Sequence, residues 1–375
     1  MIRAAYVHVP FCRYLCHYCD FTKMYYQKEL ADQYINTLKM EIQRKKQQVD
    51  YGPLKTLYIG GGTPSALTPD QLTKLFSLLR EQFTLESGAE FTVEANPDDF
   101  SDEKIRVFHE YGVNRVSLGV QSFEENLLEQ LGRKHTKQDI YRSIDFLRKI
   151  GISNISLDLM AGLPGQTLKS FETSVDEALS FNLPHYSTYL LQIEPKTIFY
   201  LKYKEGKLSK PPEDLEVDMY HLLVSKMKEH GMDQYEISNF SKKGFESKHN
   251  LTYWNNGYYF GFGPGAHGYH PGKRIVNMRP VNHYIKSEGE AVLEEIPISR
   301  NEQIEEEMFL GLRKNQGVSL TKFKKKFGED ATVLFHQPIS KLQNRGLLEL
   351  EEGFLRLTET GRLISNEVFL EFLLS

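Results

Sequence analysis

Three cysteines stand close together near the amino terminus, in the pattern Cys12-x₃-Cys16-x₂-Cys19, and the chain contains no others. An odd number of crowded cysteines does not suit a disulfide framework, so we interpret them as ligands or catalytic groups. Three thiolates on one short loop favour a [4Fe-4S] cluster, whose irons prefer sulfur ligands. Three ligands leave one iron open, and the amino and carboxylate groups of S-adenosylmethionine can chelate that iron. One electron from the cluster can then split the sulfonium.

Two other interpretations of the cysteines stay open on spacing alone. A zinc ion would take the three thiolates together with His8 or His17 as its fourth ligand. The pair Cys16 and Cys19 also has the Cys-x-x-Cys spacing of a redox dithiol. The spacing of the trio, just after a first predicted strand, favours the iron–sulfur cluster over both.

Acidic and glycine-rich positions farther along the chain are further candidates for chemistry. Glu94 ends an otherwise apolar segment, where a carboxylate needs a cation from a ligand or from a neighbouring lysine. Asp158 lies inside an apolar run and therefore also needs a partner. The sequence Gly60-Gly61-Gly62-Thr63-Pro64 lacks the Gly-Lys-Ser/Thr ending of a phosphate loop. Its glycines permit either close backbone approach to a ligand or a plain tight turn.

These residues follow the ends of short apolar runs that we predict to be β-strands. The predicted strands are 4–9, 56–59, 90–94, 115–120, 155–159 and 186–191. Amphipathic segments of helical length lie between them, at 33–46, 69–81, 101–111, 138–150 and 170–180. This alternation predicts an α/β fold with parallel βαβ units, specifically a partial (β/α)6 TIM-like barrel. Such barrels carry their active sites at the carboxyl ends of the strands, where these residues stand.

The pattern of predicted elements changes in the last part of the chain. Three helical segments, 301–313, 320–327 and 339–345, precede a strand–turn–strand signal at 347–357. This order predicts a C-terminal winged-helix-like domain. We therefore divide the chain into a barrel core at 1–210, a barrel-extending region at 211–297, which holds a helix near 217–230 and an aromatic, glycine-rich part, and the winged-helix-like domain at 298–375.

Composition and charge exclude several classes of protein. With 375 residues, 40% hydrophobic and 26% charged, the chain has the composition of a globular protein rather than a disordered one. Its formal net charge of −4 gives no general attraction to nucleic acid or anionic membranes. No apolar run has the length of a signal-peptide core or a membrane span, so we predict a soluble cytoplasmic protein.

The C-terminal part of the chain also suggests a nucleic-acid-binding regulator. Its support is the winged-helix-like pattern and the basic run at 322–327. The presumed recognition helix, however, carries only Lys341 and Arg345 as cations. Two cations are too few for the phosphate neutralisation that such binding needs, so we expect this domain to cap the barrel or to dock a partner instead.

The residues around the cysteines resemble the radical S-adenosylmethionine superfamily. The resemblance rests on Tyr6-Val7-His8-Val9-Pro10-Phe11-Cys12 and on Cys19-Asp20-Phe21. Within the superfamily, the chain resembles the branch that contains oxygen-independent coproporphyrinogen III dehydrogenase and its HemW-type haem-chaperone relatives. This resemblance covers nearly the whole chain.

The resemblance implies a set of contacts to S-adenosylmethionine. Polar backbone groups of Gly61, Gly62 and Thr63, together with the Glu94 carboxylate, would bind the methionine ammonium, and Arg133 would pair with the cofactor carboxylate. Asp158 and Gln121 would contact the ribose and nearby parts of the cofactor. The remaining implied contact positions are Tyr6, Tyr18 and Gln192. By residue type alone, Arg133 is an ordinary surface charge, and those three are core or rim residues.

The two members of this branch differ at positions that can be read in this chain. The dehydrogenase carries a fourth cysteine two residues after the third, where this chain has Phe21, and it has a long extension ahead of the first strand. The haem-chaperone relatives carry a His-Asn-x-x-Tyr-Trp motif, matched here by His249-Asn250-Leu251-Thr252-Tyr253-Trp254. A neutral histidine can ligate haem iron and aromatic faces can stack on the macrocycle, although a histidine before an aromatic run is also commonly a packed core residue.

The resemblance therefore favours a haem chaperone over an enzyme. Such a protein would bind a [4Fe-4S] cluster, S-adenosylmethionine and haem, the last through His249, Tyr253 and Trp254, and would transfer the haem to an acceptor protein. The implied partners include an electron donor such as flavodoxin or ferredoxin, and the protein is expected to be a monomer or dimer. The alternative is radical oxidative decarboxylation of coproporphyrinogen III to protoporphyrinogen IX in porphyrin biosynthesis.

Overall fold

The computed structural model describes residues 1–374 and is built around a nine-stranded sheet. The elements of its first part are β1 (Ile2–Val9), β2 (Phe11–Cys12), β3 (Met24–Tyr25), α1 (Lys28–Lys46), β4 (Tyr51–Gly61), α2 (Pro69–Gln82), β5 (Leu85–Ala95), α3 (Asp102–Glu110), β6 (Arg115–Gln121), α4 (Glu125–Gln130), α5 (Lys137–Lys149), β7 (Asn154–Ala161), α6 (Leu168–Ser180) and β8 (His185–Leu190). Short 3₁₀ turns, Pro64–Ala66 and Pro97–Asp99, follow β4 and β5.

Six strands lie side by side in chain order and all run parallel, in the order β1-β4-β5-β6-β7-β8. The crossover helices begin at side-chain caps: Thr68, Thr136 and Thr167 each accept a hydrogen bond from the third residue of α2, α5 and α6. The predicted strands and the predicted partial (β/α)6 barrel are thereby confirmed. All six strands end at the same rim, because neighbouring strands are parallel.

Alternation along the strands separates an apolar outer layer from a polar interior. In β5, Phe91 and Val93 belong to the main hydrophobic core beneath the helices. Glu90, Thr92 and Glu94 point the other way, into the barrel, because successive side chains of a strand face opposite sides. Most barrels of this kind fill their interior with apolar side chains, so polar groups at these positions need partners there.

The middle of the chain extends the sheet at both edges. Its elements are α7 (Ile198–Lys204), α8 (Glu213–Glu229), β9 (Asp233–Glu236), β10 (Asn239–Ser241), α9 (Lys248–Trp254), β11 (Phe260–Phe262), β12 (His267–His270), β13 (Lys273–Asn277), α10 (Val281–Lys286) and β14 (Val292–Pro297). Strand β11 joins β1 in parallel, while β10 and β9 add antiparallel strands beyond β8. The order leaves β11 and β9 as the edges of an open barrel, and β12, β13 and β14 form a small separate sheet.

The C-terminal part of the chain has its own hydrophobic core, made of side chains between Ile304 and Phe372. Its elements are α11 (Arg300–Leu312), β15 (Val318–Ser319), α12 (Leu320–Phe327), α13 (Ala331–Leu334), α14 (His336–Asn344), β16 (Leu348–Glu351), β17 (Phe354–Leu357), α15 (Glu359–Leu363) and α16 (Ser365–Leu370). Helices followed by a hairpin agree with the winged-helix-like pattern. The predicted domain 298–375 ends at Ser375, which lies outside the described residues. No helix within 1–374 is long and apolar enough to cross a membrane.

A buried ion pair joins α1 to the extension of the barrel. Glu41 and Lys45 lie 2.8 Å apart with almost no exposure. The Glu41 carboxylate also accepts hydrogen bonds from the Gly263 backbone and from the Asn277 and Tyr284 side chains, at 2.7 to 2.8 Å. The Lys45 ammonium donates to the Gly261 carbonyl and to Asn277. Burial of both charges is therefore compensated within one network.

Replacing Lys45 with methionine should lower the free energy of unfolding by about 3 kcal/mol, because the Glu41 charge would stay buried without its cation. Urea unfolding followed by circular dichroism measures this change. The matched control is Lys169→Met, which removes the exposed ion pair between Lys169 and Glu172 and should leave stability close to that of the wild type. Equal stability of the two variants would contradict the prediction.

Candidate cofactor site

A cavity of about 320 Å³ opens at the carboxyl ends of the barrel strands, where the sequence predicted the site. Most of the residues singled out in the sequence meet in its wall. They are Cys12, Cys16, Tyr18, Cys19, Gly61, Gly62, Thr63, Glu94, Gln121, Arg133 and Asp158. The cavity therefore joins a loop after the first strand to residues of four other strands and a helix-connecting loop.

The loop after β1 carries the three cysteines and is held close to the end of β4. The Gly62 backbone donates a hydrogen bond of 2.8 Å to the Val9 carbonyl. A methyl group at Gly62 would lie 2.9 Å from Cys12 Sγ and 3.0 Å from the Phe11 carbonyl, so only glycine allows this approach. The glycine run at 60–62 therefore serves close packing against the cysteine loop, beyond forming a tight turn.

The cysteine side chains and the two histidines nearest to them bear on which metal centre the loop could hold. Within 1–374, no three His, Cys, Asp or Glu side chains converge as the ligands of one ion would. In a cubane cluster each cysteine binds a different iron, so the sulfurs stand farther apart than in a tetrahedral zinc site. His8 is also engaged, since its ring nitrogens contact the Tyr6 hydroxyl at 3.0 Å and the Thr22 carbonyl at 2.7 Å. His17 bonds to the Gln130 carbonyl through Nδ1 at 2.7 Å.

Burial raises the pKa values of two of the three cysteine thiols. Burial raises the pKa of Cys12 to about 12, against a smaller lowering by the hydrogen bond from Thr63. Burial likewise raises the pKa of Cys19, and the nearby Lys23 ammonium opposes that rise. Raised pKa values favour the neutral thiols, so binding of iron would release their protons. The donor set therefore fits a [4Fe-4S] cluster with one iron left open.

Glu94 lies at the end of β5 with its carboxylate over the glycine run. Oε1 accepts a hydrogen bond from the Tyr58 hydroxyl at 2.7 Å, and Oε2 accepts one from the Gly61 backbone at 3.0 Å. A Cβ atom at Gly60 would lie within 2.9 Å of this carboxylate, so the glycine makes room for it. Burial raises the pKa of Glu94 to about 7, and the Asp158 charge adds to the rise while Tyr58 opposes it. The site has space and charge for a cation here.

Asp158 and Gln121 form the opposite side of the wall. The Ser117 hydroxyl lies 3.1 Å from both oxygens of Asp158, and Ser156 adds a longer contact of 3.4 Å. Burial raises the pKa of Asp158, whereas its hydroxyl partners favour the charged form. Gln121 has a left-handed backbone with φ of 68°, which costs energy for a residue that is not glycine. Such strain commonly marks residues whose side chain must point into a site.

Arg133 lies behind the cysteine loop and connects several parts of the wall. Its guanidinium donates to Asn96 Oδ1 at 2.6 Å, to the Gly119 carbonyl at 3.1 Å and to the Tyr18 hydroxyl at 3.0 Å. Its Nε is buried without a hydrogen-bond partner, which leaves a donor available to an anionic ligand. A solvated surface charge, the alternative reading of this arginine, is thereby wrong.

Two residues predicted to contact the cofactor do not line the cavity. Tyr6 faces the barrel interior from β1, where its hydroxyl bonds to His8 and its ring lies 6.0 Å from that of Tyr58. Gln192 follows β8 and is exposed. Their roles toward the cofactor stay predictions. Tyr6 contacts His8 and Tyr58, so it could influence the cofactor indirectly through these two residues.

Helix α9, which carries the predicted haem-binding residues, closes the barrel interior below the cavity. The Glu90 carboxylate accepts hydrogen bonds from the Lys248 and His249 backbones at 2.9 and 3.0 Å and so binds the helix to β5. The His249 ring lies 5.0 Å from that of Tyr58. His249 therefore points into the barrel at the level of Thr56, to which it is hydrogen-bonded. Thr56 is four residues before Gly60 on β4, which corresponds to about 13 Å along the strand.

His249 is not free to ligate iron in this conformation. It is 1% exposed, Nδ1 bonds to the Thr56 hydroxyl at 2.8 Å, and Nε2 bonds to the Tyr253 hydroxyl at 2.7 Å. Burial, together with the Arg115 charge, lowers its pKa to about 3, so the ring is neutral. Trp254 lies under the Arg313 guanidinium, and its indole Nε1 is buried without a partner. The haem-binding role of these residues stays a prediction that requires the contact between His249 and Tyr253 to open.

Some residues of the site were missed by the sequence reasoning. Ser117, Tyr189 and Lys23 line the cavity, and Asn96 binds Arg133. Ser117 alternates with outward apolar residues of β6, so strand periodicity was a usable signal for an inward position. Arg115 is two residues before Ser117 on β6, so the same alternation predicted that it also points inward. Lys23 and Tyr189 are brought to the cavity by loops and strand ends, which no local pattern reveals.

Comparison with known proteins identifies two families in the chain. A model of the radical SAM superfamily matches residues 6–178, and a model of the HemN C-terminal domain matches residues 298–364. The heme chaperone HemW of Bacillus subtilis (strain 168) is 49% identical over 99% of each chain. The protein of that name from Lactococcus lactis is 44% identical over 99% of this chain and 97% of its own.

A solved structure shows the same architecture. Coproporphyrinogen III oxidase (HemN) from Escherichia coli, described as a radical SAM enzyme, superposes with a TM-score of 0.86. The match covers 99% of this chain and 90% of that one at 23% sequence identity. At that identity the likeness establishes the fold, including the C-terminal domain, and carries no statement about substrate.

Proposed function

This chain belongs to the HemW family of the radical S-adenosylmethionine superfamily, and from this premise we propose that it is a haem chaperone that holds a [4Fe-4S] cluster and S-adenosylmethionine and passes haem to an acceptor protein. The single observation that supports the cofactor part is the cavity that joins three cysteines, two carboxylates and a buried arginine. The haem part is supported by the names of the similar relatives and by the His249 to Trp254 motif.

Different residues of the cavity would bind different parts of the cofactors. Cys12, Cys16 and Cys19 would hold the cluster, which when bound to S-adenosylmethionine supplies one-electron chemistry at the sulfonium. Glu94 and the backbone from Gly61 to Thr63 would bind the ammonium group. The free Nε of Arg133 would orient the carboxylate, and Asp158 with Gln121 would contact the ribose.

Phe21 supports the chaperone over the decarboxylating enzyme. It occupies the position of the fourth cysteine of the dehydrogenase, lines the cavity and is 61% exposed. An aromatic side chain there provides an apolar surface at the mouth of the cavity and no thiol. We further propose that the protein works in the cytoplasm as a monomer or dimer, with an electron donor such as flavodoxin or ferredoxin reducing the cluster.

The haem site is proposed at α9, with His249 as the iron ligand once the hydroxyl of Tyr253 has moved away. Replacing Tyr253 with phenylalanine removes the competing hydrogen bond, so haem affinity should rise about fivefold, equal to about 1 kcal/mol. Replacing His249 with alanine should lower it by at least about tenfold and change the haem absorption spectrum. Titration of the purified full chain with haem, followed in the Soret band, measures both.

The matched control is Tyr26→Phe, which removes the hydroxyl bond to Gln71 far from α9 and should leave haem affinity unchanged. An unchanged spectrum and affinity in His249→Ala would refute the ligand assignment. Function itself is tested by mixing the haem-loaded protein with a haem-free form of a b-type haem protein. The rate at which this acceptor takes up haem is compared with its rate of uptake from free haem at the same concentration. Conversion of coproporphyrinogen III to protoporphyrinogen IX by the reduced protein with S-adenosylmethionine would instead support the enzyme.

A further inference from the structure

Arg115 is a buried cation at the centre of the barrel, and its Nε has no hydrogen-bond partner. It is 2% exposed and is among the largest fully buried side chains of the protein. The side chain forms no ion pair within residues 1–374. A buried guanidinium is costly unless its charge is compensated, so the energetic reason for this residue must come from groups farther away.

Strand register places Arg115 just beneath the floor of the cavity. Arg115 pairs with Thr92 of β5, and Ser117, the next inward residue of β6, pairs with Glu94. On the other side, Gly119 pairs with Asp158 of β7. Two strand residues span about 7 Å, so Arg115 lies about one inward layer below Glu94 and two below Asp158. Ser117, between these levels, lines the cavity.

Ionisable groups from the surrounding elements face Arg115 or the two carboxylates of the cavity. They are Tyr6 of β1, Tyr58 of β4, Glu90 and Glu94 of β5, Asp158 of β7, His185 and Tyr189 of β8, Tyr235 and Glu236 of β9, and His249 and Tyr253 of α9. Glu90 is bound to the start of α9, and His185 bonds to Ser156 at 2.8 Å and to Tyr235 at 2.9 Å. Glu94 and Asp158 are the two of these anions that line the cavity, and the Arg115 charge favours the ionised form of each.

A charge placed one layer away acts differently from an ion pair. Direct pairing would occupy the carboxylate oxygens that a cationic ligand needs, whereas a nearby charge in a low-dielectric interior stabilises the anions and leaves their oxygens free. Two carboxylates facing one cavity also repel each other, so one of them tends to protonate unless a cation compensates.

We propose that Arg115 is a positioning residue of the cofactor site: its fixed positive charge beneath the cavity floor favours the charged forms of Glu94 and Asp158, so that both carboxylates can meet a cationic ligand. Only the identity of that ligand, S-adenosylmethionine, rests on the proposed function. The role of Arg115 toward the two carboxylates follows from its burial, its unpaired Nε and the strand register.

The titration of the two acids supports this role. Burial raises the pKa of Glu94 to about 7, and among the remaining influences the Asp158 charge raises it further while Arg115 lowers it. Burial also raises the pKa of Asp158, and Arg115 again opposes the rise. Without Arg115 both pKa values move up, so near neutral pH a larger fraction of each acid is protonated, and a higher pH is needed to restore the charges.

The direct test measures the pKa of Glu94 by ¹³C NMR in the cofactor-free full chain, with the signal assigned by its loss in Glu94→Gln. Arg115→Gln should raise this pKa by about one to two units, the effect expected of a charge about 7 Å away at an effective dielectric constant of about 20. Arg115→Lys keeps the charge and should leave the pKa within about half a unit of the wild type. The matched control is Arg148→Gln, whose guanidinium donates to the Phe181 carbonyl on the outer face of the barrel.

The second readout is the affinity for S-adenosylmethionine of the cluster-loaded protein at pH 7 and pH 9. Arg115→Gln should bind about tenfold more weakly than the wild type at pH 7 and regain most of that loss at pH 9, as the carboxylates ionise again. A structural defect would weaken binding equally at both pH values, and that result would overturn the proposal.

An unchanged Glu94 pKa in Arg115→Gln would also overturn it. If Arg115→Gln does not fold, a rise of more than one unit in Arg115→Lys counts against the proposal, since the charge is retained there. If the wild-type protein does not bind S-adenosylmethionine, the cofactor assignment under the proposed function fails, while the NMR measurement still decides the role of Arg115.

Discussion

Replacement of Cys16 with serine is expected to abolish the iron–sulfur cluster, with iron falling from about four to less than about one atom per chain after anaerobic reconstitution. Cys16 is a better choice than Cys12, because Cys16 is only partly buried whereas Cys12 is buried and accepts a hydrogen bond from Thr63. The chain has no other cysteine that could substitute as a ligand. Iron and sulfide analysis, with the electron paramagnetic resonance spectrum of the reduced protein, measures the loss.

The control for this experiment is His17→Ala. His17 is the remaining histidine that a zinc site could use, and it lies beside the loop with Nδ1 bonded to the Gln130 carbonyl. A cluster held by three cysteines should survive this change with its iron content intact. One tightly bound zinc per wild-type chain, lost in His17→Ala, would overturn the cluster assignment and with it the S-adenosylmethionine site.

Glu94→Gln is the second change with a large expected effect. It should weaken S-adenosylmethionine binding about 100-fold, equal to about 2.7 kcal/mol, while the iron content stays at the wild-type value. Glutamine has nearly the same shape and its oxygen can still accept the Tyr58 hydrogen bond, but its amide nitrogen cannot accept from the Gly61 backbone. The loss therefore reports the missing charge opposite the ammonium group together with that one hydrogen bond. Anaerobic calorimetry on the cluster-loaded protein measures the affinity.

Glu90→Gln is the matched control on the same strand and the same inward face. Glu90 binds the start of α9 and does not line the cavity, so its loss should lower stability without changing S-adenosylmethionine affinity. If Glu94→Gln binds the cofactor within about threefold of the wild type, less than about 0.7 kcal/mol, Glu94 is not a partner of the ammonium group.

The two ends of the barrel interior are linked through its polar side chains. Tyr58 donates to Glu94 above and lies against the ring of His249 below, while Arg115 stands between the two levels. We therefore expect a change in charge at the cavity to alter the surroundings of the helix that carries the proposed haem ligand. Comparing the haem affinity of the wild type with and without S-adenosylmethionine is a direct way to examine this link.

The elements of the barrel could be predicted from the sequence because their signals are local. The apolar run of β4 and the capping box at Thr68 each lie within a few neighbouring residues, so strand and helix positions follow without knowledge of the whole chain. The cysteine trio likewise lies on one short loop. The meeting of Glu94 and Asp158 in one cavity also followed, because parallel strands must end at the same rim. Arg133 lies on the loop between α4 and α5, and only the family resemblance indicated its place in the site.

The tertiary structure alone decided what depends on contacts between distant parts of the chain. His249 meets Thr56 across 193 residues of sequence, and this contact turns a candidate haem ligand into a closed, hydrogen-bonded side chain. Gln192 is turned outward by the chain that follows β8. Arg115 is an ordinary strand residue until six strands surround it, and its importance arises only from the low-dielectric interior that they create together. The cysteines and the residues around them thus predict the cofactor chemistry from sequence alone, whereas the charge beneath the cavity and the access to His249 are properties of the assembled barrel.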